Sequence, residues 1–172
     1  MKNFTIMRQL EIDAAHRVPE HGSKCRALHG HRYKIEAHCR GELAQEGEQG
    51  GMLLDFSFLK EGLIMHIHDP CDHGLILRFD DALLTGLIGP TRFKDIQLQF
   101  QDGIKTWEEY SWNEGLKLYL IRTVPTAENL AQHWYERLQQ FVKDRSDGRA
   151  TLAKLRVHET PNCWAEYPFV VD

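Results

Sequence analysis

The ten histidines of this 172-residue chain are unevenly spread. His16, His21, His29, His31 and His38 come early, and His66, His68 and His73 follow. His29-Gly30-His31 is the most informative arrangement. Two histidines two apart on a strand point to the same face, and the glycine between them lets the backbone adapt. His16 ends an earlier alternating stretch on its apolar parity, so pairing of the two strands would gather three imidazoles at one end of a sheet. Three histidines with no fourth protein ligand match a catalytic zinc that keeps one position open. The same spacing also fits three histidines that merely fill core or loop positions. A second cluster, His68, Asp69, Cys71, Asp72 and His73, competes on spacing alone, whereas His66 and His68 fall in a predicted helix where i and i+2 diverge.

Other chemistry-bearing residues surround these. Cys25 lies four residues before His29, between Lys24 and Arg26. Positive neighbours and a nearby metal both favour thiolate, a competent base or nucleophile. The alternative is an inert buried thiol, which suits Cys39 and Cys163 on predicted strand interiors. Asp72-His73 has the order of a proton-relay dyad, in which the carboxylate orients the imidazole. Glu159 ends the apolar face of a predicted strand, where a carboxylate is costly unless paired. Its partner is either a ligand offering two parallel N–H groups or a cation of the chain itself.

The elements that must position these residues follow from periodicity. Phe4, Ile6, Leu10, Ile12 and Ala14 alternate with polar residues, and so do Tyr33, Ile35, Ala37 and Cys39, predicting two strands. Met52–Leu54 reads as a short strand, and Asp55 as the cap of a helix with Phe56, Leu59, Leu63 and Ile67 on one side. That helix is expected to stop before the HDPCDHG stretch, because the residue before Pro70 disfavours helix. A second helix is capped by Thr126 and buries Leu130, Trp134, Leu138 and Phe141. Ala153, Leu155 and Val157 form a third long strand ending at Glu159, and Cys163, Ala165, Tyr167 and Phe169 a last one. The order β-β-α-α-β-β predicts an α+β fold, a four-stranded antiparallel sheet with two helices on one face. Residues 78–124 interrupt it as an insert before the second helix, with Ile96, Leu98 and Phe100 hinting at a strand.

Composition limits the function classes. The chain is 42% hydrophobic and 27% charged, which is ordinary for one globular domain spanning residues 1–172. A net charge of −4 argues against nucleic acid or an anionic membrane as partner. No apolar run is long enough to cross a bilayer, and MKNFTIMRQLEIDAAHR lacks the apolar core of a secretory signal. Four widely spaced cysteines without a CxxC pair fit reduced thiols in a cytoplasm.

Six segments in order, AAHR (14–17), KCRALHGH (24–31), GMLLDFSFLK (51–60), DH (72–73), PTAENLA (125–131) and VHET (157–160), resemble the 6-pyruvoyl-tetrahydropterin synthase / 6-carboxy-tetrahydropterin synthase family. The resemblance spans nearly all of the chain apart from the insert. It implies the tunnelling fold, with subunits joined into a β-barrel, and a homohexamer (a dimer of trimers) with active sites at subunit interfaces. It also implies Zn2+ on His16, His29 and His31, and Cys25 acting with the Asp72-His73 dyad. Glu159 would anchor the pterin ring, with Thr126 and Glu128 nearby. The four-residue interval from Cys25 to His29 resembles the bacterial branch. That branch converts 7,8-dihydroneopterin triphosphate to 6-carboxy-5,6,7,8-tetrahydropterin, acetaldehyde and triphosphate on the way to queuosine. Two alternatives stand beside it: a pyruvoyl-forming or related pterin side-chain lyase, and a non-catalytic zinc- or pterin-binding protein.

Overall fold

The computed structural model describes residues 3–105, 107–111 and 115–169. Two compact units emerge from its contacts, one drawn from residues 1–12, 32–70 and 127–172, the other from 13–31 and 71–126. Two long strands, β1 (Phe4–His16) and β2 (His29–Gly41), run through both.

In the first unit, helix α1 (Phe56–Leu63) starts at Asp55, whose carboxylate accepts the Ser57 N–H at 2.7 Å. The helical path then continues, against expectation, through a π-turn at Ile64–His68 into a single turn, α2 (Asp69–Cys71). The Asp69 N–H bonds to the Ile64 carbonyl, five residues back. That wider turn restarts the helix just before Pro70, so the proline sits where its missing N–H is not needed. The expected strand at Met52–Leu54 is irregular instead, with a bend at Leu53 and Leu54, both buried. Gly51 at φ +79° and the Asp55 cap leave too few extended residues for a strand.

The second unit departs further from expectation. Strand β3 (Gly74–Arg78) pairs parallel with β1, with Ala14 opposite Gly74 and His16 opposite Ile76. Two helices follow, α3 (Leu83–Ile88) and α4 (Pro90–Gln101), then strands β4 (Trp107–Ser111) and β5 (Lys117–Ile121). β5 is parallel to β3 and antiparallel to β4. The segment Ile96–Phe100, expected as a strand, lies in α4. Ile96 and Phe100, four apart, are buried while Leu98 is exposed, which is a helical period. Leu75 and Leu77 of β3 and Leu118 and Leu120 of β5 pack with Leu84, Ile88, Ile96 and Phe100 into one core. The α+β class therefore holds, but the sheet is mixed rather than four antiparallel strands. Short apolar runs such as Leu-Ile-Leu and Leu-Tyr-Leu-Ile are what parallel strands covered on both faces require.

The C-terminal part of the first unit has the expected helix and two strands, but Val142 is buried where Phe141, half-buried, was expected, and Phe169 lies beyond β7 and is exposed. Helix α5 (Ala127–Arg145) buries Leu130, Ala131, Trp134, Leu138 and Val142. Strand β6 (Ala150–Thr160) pairs antiparallel with β2 and with β7 (Cys163–Tyr167), giving the order β1-β2-β6-β7 in this unit. Cys163, expected in the interior, is exposed because β7 is the last strand of that order.

On α5, burial and the Arg137 charge hold the His133 imidazole down at a pKa of about 4. The folded state thus keeps His133 neutral while the unfolded chain protonates near pH 6.5, so stability falls as pH drops from about 6.5 to 4. Chemical denaturation across that range should show His133→Gln losing less stability than the parent protein. An identical slope would mean that other groups carry the acid sensitivity.

Candidate active site

His16 is the last residue of β1 and is buried. His29 and His31 open β2. The ring centroids lie 4.5 Å (His16–His29), 5.2 Å (His16–His31) and 5.0 Å (His29–His31) apart. One ring nitrogen from each falls within 4.8 Å of the others. Among the described residues this is the one set of three His, Cys, Asp or Glu side chains that converges so. The competing His68–His73 stretch forms no such set.

Two backbone carbonyls decide how these rings present themselves. His16 Nδ1 lies 2.6 Å from the Pro125 carbonyl oxygen, and His29 Nδ1 lies 2.8 Å from that of Ala27. A carbonyl only accepts, so each Nδ1 must carry the proton and each Nε2 keeps its lone pair. Orientation of this kind is what metal-binding histidines need, and the donor set suits a borderline cation such as zinc. The geometry and the chemistry both fit a metal.

Gly30 brings the strands together. A Cβ at this position would sit 3.2 Å from the Ala14 carbonyl oxygen and 3.7 Å from the Ala15 Cα. Only a residue without a side chain lets β1 pass this close between the two β2 histidines.

The Asp72-His73 pair forms as anticipated. Asp72 Oδ2 is 2.9 Å from His73 Nδ1, which leaves Nε2 of the exposed His73 ring as the available base. Asp72 Oδ1 accepts the Asp13 N–H at 2.9 Å, and the His73 N–H donates to the Asp13 carbonyl at 2.7 Å. This two-point clamp on β1 holds His73 at φ +56°, a left-handed conformation that costs a non-glycine residue about 1–2 kcal/mol. Lys117 Nζ donates to the Asp72 carbonyl at 2.9 Å. Asp13 is three residues before His16, so the dyad meets β1 roughly 10 Å along the strand from that ligand.

Cys25 lies in a single 3-10 turn, Lys24–Arg26, two residues before the Ala27 carbonyl that holds His29. Its own carbonyl accepts the Val18 N–H at 2.7 Å. Cys39, by contrast, is buried, and burial pushes its thiol up to about 12, which makes it inert. Thr126 immediately precedes α5, and Glu128 is exposed in its first turn. Glu159 sits on β6 where the register with β7 shifts between His158 and Thr160, an irregularity that re-aims a side chain. Glu128 and Glu159 belong to the first unit, whereas the histidines, Cys25, the dyad and Thr126 belong to the second. Sequence reasoning misses Pro125, Ala27, Asp13 and Lys117. The first three act through backbone atoms and leave no side-chain signature, and Lys117 lies in the insert.

The family model described as 6-pyruvoyl tetrahydropterin synthase matches residues 5–168. A relative from Rickettsia conorii named 6-carboxy-5,6,7,8-tetrahydropterin synthase is 33% identical over 159 residues, covering 92% of this chain and 96% of its own. A Synechocystis protein of the same name is 36% identical over 142 residues, covering 81% of this chain and 99% of its own. Among solved structures, a protein of Wolinella succinogenes superposes with a TM-score of 0.71 at 22% identity, covering 96% of this chain and 98% of that one.

Gly30→Ala should push β1 away by a few tenths of an ångström and spread the three imidazoles. A zinc titration against a competing chelator is expected to show roughly tenfold weaker binding. Unchanged affinity would mean that strand spacing does not set the site.

Proposed function

The chain belongs to the 6-pyruvoyl tetrahydropterin synthase family, and from that premise we propose that it is a 6-carboxy-5,6,7,8-tetrahydropterin synthase. Its reaction converts 7,8-dihydroneopterin triphosphate to 6-carboxy-tetrahydropterin, acetaldehyde and triphosphate, an early step towards queuosine. The observation that carries this reading is the convergence of His16, His29 and His31 with two Nδ1 protons already directed at carbonyls. The carboxy product is favoured over the pyruvoyl one by the names of the curated relatives and by the four residues between Cys25 and His29.

The three histidines hold Zn2+, which when bound supplies Lewis acidity to the substrate's side-chain hydroxyls. Cys25 acts as the base that removes a carbon-bound proton. His73 exchanges protons through Nε2 while Asp72 fixes its tautomer and stabilises it when charged. Glu159 accepts the paired N–H groups of the pterin ring, with Thr126 and Glu128 assisting. The four strands β1, β2, β6 and β7 are the tunnelling-fold sheet, which assembles into a cytoplasmic homohexamer, a dimer of trimers with active sites at subunit interfaces. In such an assembly the carboxylate and the metal ligands of one site need not come from one chain.

Incubating zinc-loaded protein with dihydroneopterin triphosphate should release acetaldehyde and 6-carboxy-tetrahydropterin. A pyruvoyl product would replace the proposed activity with the alternative lyase, and pterin binding without turnover would replace it with a binding protein. Cys25→Ala is expected to retain zinc and lose turnover by roughly a hundredfold or more, the usual contribution of a positioned base. Full activity in that variant would remove the cysteine from the mechanism.

A further inference from the structure

The insert's first turn is tied to the residue next to His16. Arg17 follows the ligand His16 directly, and its guanidinium forks onto Asp81. Nε lies 2.9 Å from Oδ2, and Nη2 bonds Oδ1. The Asp81 side chain is fully buried, and that of Arg17 is only 17% exposed. Asp81 Oδ1 also accepts the Leu83 N–H at 2.9 Å, which ties the carboxylate to the start of α3. A second tie lies alongside, where Arg78 bonds Glu20 at 2.8 Å and also pairs with Asp80.

We propose that Asp81 is a positioning residue for the metal centre, holding the end of β1 through Arg17 and thereby setting how tightly His16 binds. The proposal rests on the three histidines being metal ligands. His16 is the last strand residue of β1 and pairs with Ile76 of β3. Beyond it the strand ladder ends and the next backbone bond among the described residues is from the Val18 N–H to the Cys25 carbonyl, at 2.7 Å, so Arg17 itself sits at a strand end, where local opening is easiest. The Pro125 carbonyl and the β3 pairing orient the His16 ring and strand, and a grip on the following residue adds to that preorganisation, since a metal site left loose loses affinity to the cost of ordering its ligands. A bidentate Arg–carboxylate pair supplies that grip because its planar fork fixes both position and angle. Parallel pairing explains why the partner comes from the insert. The C-terminal end of β1 lies beside the C-terminal end of β3, and Asp81 follows β3 after a turn closed by its N–H to the Arg78 carbonyl at 2.9 Å. An antiparallel neighbour would have brought a strand beginning to this place. The same insert returns at its far end to Pro125, whose carbonyl sets the His16 tautomer.

Zinc affinity, measured by competition with a chromophoric chelator on the full chain, tests this alongside thermal melting of the metal-free protein. Asp81→Asn should weaken zinc binding about tenfold, the low end of the loss when a direct partner of a metal ligand is removed, because Asp81 acts through Arg17. Arg17→Lys, which keeps the charge but loses the fork, should weaken it about tenfold, and it carries the test if Asp81→Asn does not fold. Leu84→Ala in the adjoining core should lower the melting temperature yet leave zinc affinity within about twofold, since it removes only packing. Zinc binding as tight as in the parent protein for both Asp81→Asn and Arg17→Lys would overturn the proposal. So would an equal loss in Leu84→Ala, which would reduce Asp81 to a general structural role. A parent protein that takes up no zinc overturns the metal reading, and this inference with it.

Discussion

Three neutral imidazoles can share one cation only if each keeps its proton on the nitrogen facing away from it. For His16 and His29 that requirement is met by backbone carbonyls, at Pro125 and Ala27. Much of the second unit follows from supplying those carbonyls at the right places. The Ala27 carbonyl lies in the short connection between β1 and β2, just after the turn that carries Cys25. The Pro125 carbonyl arrives at the end of a much longer route, out through β3, α3 and α4 and back along β5. Because β1, β3 and β5 are parallel, their C-terminal ends lie along one edge, the place where open parallel sheets gather binding groups.

The insert is therefore built into the site instead of being attached beside it. It has its own core of leucines, isoleucines and Phe100, and Phe79 stacks on Phe100 with ring centroids 4.7 Å apart. That core is the support on which Asp81, Lys117 and the approach to Pro125 are mounted. Lys117 reaches the Asp72 carbonyl beside the dyad, and Asp72 and His73 both bond to Asp13 of β1. One strand thus carries a ligand at its tip and the anchor of the proton relay three residues earlier.

How much of this could be read in the sequence depends on whether side chains or backbone do the work. The HxH spacing, the parity of His16 and the adjacency of Asp72 and His73 are side-chain patterns, and the structure brings each together as expected. The long amphipathic helix is equally plain, because Leu130, Trp134 and Leu138 recur at helical spacing. The middle of the chain misled for a physical reason. Ile96, Leu98 and Phe100 alternate as a strand would, but Ile96 and Phe100 also match a helical repeat, and tertiary burial chose the latter. Pro70 signalled a helix end that a π-turn circumvents. Pairing direction was only faintly marked, since the continuous apolar runs of β3 and β5 suit parallel strands covered on both faces but are too short to tell a buried strand from a buried helix segment.

The carbonyls at positions 27 and 125 have a consequence for how such a site can drift over generations. A backbone acceptor belongs to the peptide unit and survives replacement of the side chain that it accompanies. Orientation of the metal ligands is thus stored in the path of the chain, outside the reach of most single-codon changes at those two positions. Surrounding residues are then free to vary widely while the imidazoles keep their poise, so long as the folded route of the insert still delivers a peptide group to the same spot.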